Sequence, residues 1–368
     1  MPWRSPQAPR HAHHRRQNNV MTLRTLSLAL LLPFIVASTA AAQVATPNIN
    51  PLNGAGTGNP ATLPFAAASF VGIAGGKGDV TTTETTGDTK IGSGTVDTRQ
   101  ANLRAVGESF AAALEYESNH LSISPTSSTP FQQDLKQKFT KISAAGRMGD
   151  VVGLGLAEER SDIDASATLE LLPGTPADVT QKVTSTLPIG GAVVRLADVF
   201  YIGVAGGSEK ITIDESANVP SVPFSGSQTF EVKRSVKRAG VGMVWTADDG
   251  DIVRLEVAAE DRDGYDHPDI LGGPDKPEDT REARAAVLEV NMEGFVFGAA
   301  TRTDKIFKGD VQDSKETQNS ATLGWVPKSG MSATIGVLTS ERTTENPATP
   351  VPNKTEYTTE ALSLNWMY

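Results

Sequence analysis

The sequence predicts an all-β fold: a transmembrane antiparallel up-and-down β-barrel of about 14 strands, with periplasmic termini and long extracellular loops. Three observations predict it. The chain opens on a secretory leader, about fourteen segments alternate with a period of two, and short and long connections alternate along the chain.

The leader comes first. Met21 is followed by Thr22-Leu23-Arg24, an apolar run from Leu26 to Ala37, and Ser38-Thr39-Ala40-Ala41-Ala42-Gln43. A basic start, a short apolar middle and a small-residue end make a signal peptide, cleaved after Ala42. The apolar run falls short of the about 20 residues that a spanning helix needs. The stretch ahead of Met21 (Arg4, Arg10, His11, His13, His14, Arg15, Arg16) is either an over-long start or an extended basic n-region. The predicted organisation is therefore residues 1–42 as signal peptide, 43–64 as a short periplasmic or lumenal segment, and 65–368 as the barrel.

Composition narrows the function. Removing the five arginines of residues 1–42 leaves 28 of the 33 basic residues against 43 acidic ones, a balance near −15. Such a surface argues against nucleic acid and against docking on anionic lipid through a basic patch. Cysteine is absent, which excludes disulfides, thiolate metal sites, a Cys nucleophile and lipid attachment at a mature N-terminal cysteine. Only His120 and His267 follow the leader, so no metal and no cofactor are expected.

The alternation is clearest at Asp251–Arg262, where Val253, Leu255, Val257 and Ala259 oppose Arg254, Glu256, Ala258 and Glu260. One face is apolar and the other charged, as lipid on one side and a wet lumen on the other require. Ala101, Leu103 and Ala105 oppose Gln100, Asn102 and Arg104; Val241, Met243 and Trp245 oppose Arg238, Gly240 and Gly242; Phe295, Phe297 and Ala299 oppose Gly298, Ala300 and Arg302. Strands are expected to begin near Ser69, Thr98, Phe110, Gln133, Val151, Gln181, Val199, Thr229, Ile252, Arg281, Phe295, Thr317, Met331 and Glu356. In the segment near Gln181, Pro188 and Gly190-Gly191 predict a bulge.

Short turns fall at Gly107-Glu108-Ser109, Met148-Gly149-Asp150, Ala197-Asp198, Asp248-Asp249-Gly250, Met292-Glu293-Gly294 and Pro327-Lys328-Ser329-Gly330. Between them lie stretches rich in Pro, Thr, Ser and Asp, centred near residues 89, 128, 170, 220, 270, 311 and 350. Tight turns at one end and long loops at the other are a membrane-barrel pattern. Phe110, Phe200, Trp245, Phe295, Trp325, Trp366 and Tyr368 all sit close to a short turn or the C-terminus, which predicts an interfacial girdle at one membrane face. In the last strand Leu362, Leu364, Trp366 and Tyr368 alternate with Ala361, Ser363, Asn365 and Met367. That ending resembles the C-terminal signal read by the barrel-assembly machinery.

Between leader and first strand, Asn59-Pro60-Ala61 stands just ahead of Ser69-Phe70-Val71. This tripeptide and its position resemble the long-chain fatty-acid transporter (FadL/TodX) family of outer-membrane proteins. The resemblance implies fourteen strands, an N-terminal hatch inside the barrel, and passive inward movement of hydrophobic molecules through the wall. It makes Asn59, Pro60 and Ala61 substrate or hatch residues, and places the chain in the outer membrane of a Gram-negative envelope among lipid and lipopolysaccharide, with a small-molecule solute. The segment Gln43–Pro64 is shorter than that family's hatch. Predicted lumen positions are charged (Arg104, Arg195, Arg238, Arg254, Glu256, Glu260, Arg302, Arg342), which also suits a general diffusion porin for small hydrophilic solutes. A structural or adhesive surface protein is a further reading of the long Thr- and Pro-rich loops.

Catalytic chemistry is expected to be absent. His120 and Ser122 share one strand face with Leu114 and Tyr116, as in outer-membrane lipid hydrolases, but no orienting acid is identifiable in the sequence. The acidic run Asp261, Asp263, Asp266, Asp269, Asp275, Glu278 and Asp279 lacks a calcium loop's final Glu, since Gly272 stands eleven after Asp261. A solvated loop, bridged to lipopolysaccharide by divalent cations, is the favoured reading.

Overall fold

A computed structural model describes residues 58–65, 69–84, 89–126, 132–172, 175–197, 199–219, 224–247, 251–265, 279–308, 311–327, 330–344 and 353–367. The expected signal peptide (1–42), residues 43–57, the centre of the acidic run (266–278) and Tyr368 lie outside them.

Period-2 sequences become fourteen strands: β1 (Phe70–Glu84), β2 (Thr89–Val106), β3 (Phe110–Pro125), β4 (Gln132–Met148), β5 (Val152–Leu172), β6 (Thr175–Leu196) and β7 (Phe200–Val219), then β8 (Phe224–Thr246), β9 (Ile252–Arg262), β10 (Asp279–Met292), β11 (Phe295–Lys308), β12 (Val311–Trp325), β13 (Gly330–Thr344) and β14 (Asn353–Met367). Each pairs antiparallel with its sequence neighbours, and β1 pairs with β14 to close the barrel. Closure leaves no edge whose backbone groups would meet hydrocarbon. The start of β1 lies beside the end of β14, Phe70 facing Met367, so both approach the short-turn end.

Local turn chemistry fixes that end. Glu293 and Gly294 both take positive φ (51° and 86°), the geometry of a type I′ hairpin turn whose twist suits paired strands. A side chain on Gly294 would press on the Trp325 ring, 3.0 Å from an added Cβ, and Trp325 meets Phe295 edge to face at 4.9 Å between centroids. The turn and the aromatic girdle are therefore built as one unit.

Two features differ from the expected pattern. Pro188 causes no bulge: β5 and β6 keep register through Glu158↔Pro188. Between β6 and β7 the pairing passes from Thr186↔Lys210 to Ile189↔Gly207 with no pair between and no shift. Proline lacks the N–H that the ladder needs, so the bonding lapses without displacing the register. The bulges lie elsewhere, at Thr82/Thr83, Glu170/Leu172 and Ile306/Phe307. The second difference is strand length. β5 to β8 run 21, 22, 20 and 23 residues, against the about 9–11 that cross a bilayer, so sequence read as loop near residue 170 continues as strand. Backbone pairing carries on there without strict alternation in the sequence.

Alternation sorts the side chains. Ile73, Leu156, Phe295, Met331 and Trp366 face outward, 57–72% exposed, while Arg254, Glu256, Glu260 and Glu289 on the inner face are at most 1% exposed.

Candidate functional site in the barrel lumen

At the short-turn end, residues Pro60–Phe65 form a 3-10 helix lying against β3, β4, β5 and β6. Asn59 anchors it. Its Nδ2 donates to the carbonyls of Ala192 on β6 (2.8 Å) and Val204 on β7 (2.9 Å), and its Oδ1 accepts from the Ala61 N–H (3.0 Å). Thr62 closes the turn by donating its hydroxyl to the Asn59 carbonyl at 2.9 Å. Leu63 buries against Ala111, Ala113 and Ala145, and Phe65 meets Tyr201 edge to face at 5.9 Å. Glycines leave the room: a Cβ on Gly155 would stand 2.5 Å from the Pro60 carbonyl carbon, and one on Gly191 would overlap the Asn59 amide. The Gly58 carbonyl accepts from Lys141 and Arg238, each at 3.3 Å.

Those two cations open an ion-paired belt across the lumen. Glu159 on β5 takes Lys141 from β4 (3.0 Å) and both terminal nitrogens of Arg238 from β8 (2.9 and 3.0 Å). β5 and β8 are not neighbours, so this pair spans the interior rather than lining it. Arg238 also donates to Glu260 (2.6 Å), Arg262 to Glu260 (2.8 Å) and Glu209 (3.0 Å), and Arg234 to Glu209 (2.6 Å). Further round, Arg281 and Arg302 share Asp304, each at 2.6 Å, and Arg254 holds Glu256 (3.4 Å) and Glu289 (3.3 Å). Buried charges require such pairing, because the desolvation of an ion is several kcal/mol or more.

On the outward side of the belt the inner wall turns apolar. Val80, Val96, Leu121, Ile123, Leu135 and Ala165 form an inward-facing cluster, with Ile163 and Tyr357 packed on it. Beside it a cavity of about 150 Å³ lies between apolar residues of β4–β7 and arginines of β8–β11.

The remaining sequence candidates fall as follows. Arg104 and Arg342 are inward and buried; Arg104 stacks over Phe70 (5.0 Å to the ring centroid), and Arg342 donates to the Ser314 hydroxyl at 3.5 Å. Arg195 is half-buried near the short-turn rim, over Tyr201 at 5.7 Å. Trp245, Trp325, Leu362, Leu364 and Trp366 face outward, 42–57% exposed. His120 and Ser122 lie on the lipid-side face of β3, and His120 Nε2 meets Asp134 on β4 at 2.8 Å. Asp134 faces Ser122 in the register, a juxtaposition invisible without strand pairing. Asp261 and Asp263 are engaged by Arg284 (2.8 Å) and Lys237 (3.4 Å).

Sequence reasoning missed the cavity residues Glu209, Ile211, Ile213, Arg234 and Arg262. The signal was present: continuing the inward parity of Tyr201 and Ala205 along β7 reaches Glu209, Ile211 and Ile213.

No protein-family model matches the chain, and no curated protein matches it in sequence. Solved structures do match its fold. A Pseudomonas aeruginosa FadL homologue aligns with TM-score 0.57 at 12% identity, over 89% of this chain and 96% of that one. A deletion mutant of the TodX monoaromatic hydrocarbon channel gives 0.57 at 10%, over 90% and 98%. The Ralstonia pickettii toluene transporter TbuX gives 0.56 at 10%, over 89% and 97%. The chain thus has the fold of a FadL-like outer-membrane barrel, at identities that speak to architecture alone.

Proposed function

We propose that this chain sits in the outer membrane and lets small hydrophobic molecules pass inward passively, with Asn59-Pro60-Ala61 anchoring a short hatch. The observation that carries the reading is the layering of the lumen: an apolar inner wall on the outward side, an ion-paired belt, and the Asn59–Phe65 segment at the short-turn end. A general diffusion porin needs its inward charges facing water, whereas here Arg238, Arg254, Glu256 and Glu260 bond one another and are buried. The fold shared with a toluene transporter and a monoaromatic hydrocarbon channel supports the same solute class. The β6–β7 ladder lapses at Leu187-Pro188, and that place suits lateral passage of an apolar molecule. In this reading, membrane lipid and lipopolysaccharide surround the apolar band, and the last strand engages the assembly machinery.

Uptake measurement tests the reading. Gram-negative cells expressing the chain should take up radiolabelled toluene several-fold faster than cells without it, while the purified barrel conducts little in a planar bilayer. A large steady conductance with no gain in toluene uptake would overturn it in favour of a hydrophilic porin.

A further inference from the structure

The cavity beside the belt combines two chemistries that a purely hydrophobic solute does not need. One wall is apolar, built from Phe139, Ile163, Val183, Ile211 and Ile213. The other presents Arg234, Arg262, Arg281 and Arg302. These arginines are bound two to one acid: Arg234 and Arg262 meet on Glu209, and Arg281 and Arg302 meet on Asp304. Arg262 also reaches Glu260, which Arg238 shares, and Glu159 is already taken by Lys141 and Arg238. On the far wall Glu117 accepts from the neutral amides of Gln100 (3.3 Å) and Asn119 (2.6 Å). Tyr265 adds an aromatic face, with the Arg234 guanidinium 5.7 Å from its ring centroid.

Size limits the guest. A cavity near 150 Å³ holds one aromatic ring, as an engineered apolar cavity of that volume holds benzene. A long acyl chain would extend beyond it. Guanidinium groups offer paired N–H donors in a plane that matches a carboxylate. A neutral ring of the same size leaves two guanidinium groups sharing one acid, whereas a carboxylate adds an acceptor and a charge to them.

We infer that this cavity binds single-ring aromatic carboxylates, the ring against the β4–β7 wall and the carboxylate towards Arg234 and Arg262. The inference rests on the transport reading and names the solute class that the barrel selects while passing it. Calorimetry on the full barrel in detergent, with benzoate and its neutral isostere benzamide as probes, tests it. Benzoate should bind saturably and at least ten-fold tighter than benzamide. Arg262→Gln should weaken benzoate about ten-fold and leave benzamide unchanged. Arg234→Gln, which meets one carboxylate instead of two, is the milder variant should Arg262→Gln fail to fold, and it should act in the same direction. Equal affinity for the two probes, no saturable benzoate binding, or a long-chain fatty acid displacing benzoate at lower concentration than benzoate's own analogues would each overturn the inference. Toluene uptake by cells separates the two claims. If uptake rises but benzoate does not bind, the anion site is wrong and the transport reading stands. If benzoate binds with the stated selectivity and toluene uptake does not rise, the anion site stands and the hydrocarbon channel does not.

Discussion

Asn59 holds the N-terminal segment through one amide that bridges two wall strands, so a single side chain ties the segment to the barrel. Asn59→Ala removes both donors, at about 0.5–1.5 kcal/mol each, and leaves every strand pairing intact. The expected result is a barrel with unchanged heat-modifiable migration on gels but frequent open events in a planar bilayer. Gly155→Val approaches the same segment from the wall side, since its Cβ would crowd Pro60, and should give the same openings. If both variants conduct like the parent, the segment does not close the lumen. Glu159 acts differently, because it neutralises Lys141 and Arg238, whose side chains are both 0% exposed. Glu159→Gln leaves these cations short of a charge partner, and removing one member of a buried pair typically destabilises by about 3–5 kcal/mol. The midpoint of urea unfolding should fall further for Glu159→Gln than for Asn59→Ala.

Among the elements, β14 carries the most consequence for assembly. Its outward side chains Leu362, Leu364 and Trp366 are 50, 42 and 57% exposed, and the strand pairs with both β13 and β1 to seal the barrel. Replacing Trp366 and Tyr368 with Asp, or deleting Tyr368, is expected to abolish membrane insertion. At Trp366 the lipid-side charge accounts for roughly 0–4 kcal/mol depending on depth, and the proposed engagement of the last strand by the assembly machinery would supply the rest. Normal recovery of the Tyr368 deletion in outer-membrane fractions would show that the C-terminus is no signal. The same strands show what a sequence discloses and what it hides. Starts at the short-turn end were legible within one residue: Phe110, Ile252 and Phe295 coincide, and Val151 and Val199 stand one before Val152 and Phe200. There the turn residues are local and lipid enforces alternation. Outward starts ran late, Thr98 for Thr89 and Gln181 for Thr175, because water on both faces erases the pattern. In the lumen, the direction of Arg238 and Glu260 follows from parity along β8 and β9. That Glu159 would cross to Arg238, or that Asp134 would reach His120, depends on barrel closure and register, which no single strand encodes.

On the proposed reading, the molecule divides function by height. Wide uptake of apolar solutes needs an interior that is greasy where the solute arrives and closed to water lower down. The inward cluster around Leu121, Ile123 and Leu135 supplies the first property. The belt from Lys141 through Glu159 and Arg238 to Arg262 narrows the interior, since its members reach across non-adjacent strands. Those pairs are rooted in the wall, so they remain when the N-terminus is removed. The segment at the short-turn end is different: Gly58, Asn59, Leu63 and Phe65 attach it through a few hydrogen bonds and two apolar contacts, without adding a strand. Deleting residues 43–58 therefore separates two ways of closing the lumen. The segment's lead-in and the Gly58 carbonyl that caps Lys141 and Arg238 would both go, while the fourteen paired strands stay. If the segment is the closure, the deletion should raise single-channel conductance several-fold and sensitise cells to large antibiotics, with heat-modifiable migration preserved. If the ion-paired belt is the closure, conductance should stay low in the deletion and rise only when Glu159→Gln is combined with it. A deletion that stays closed even with Glu159→Gln would remove the hatch from the mechanism, and with it the reading of Asn59-Pro60-Ala61 as more than a turn.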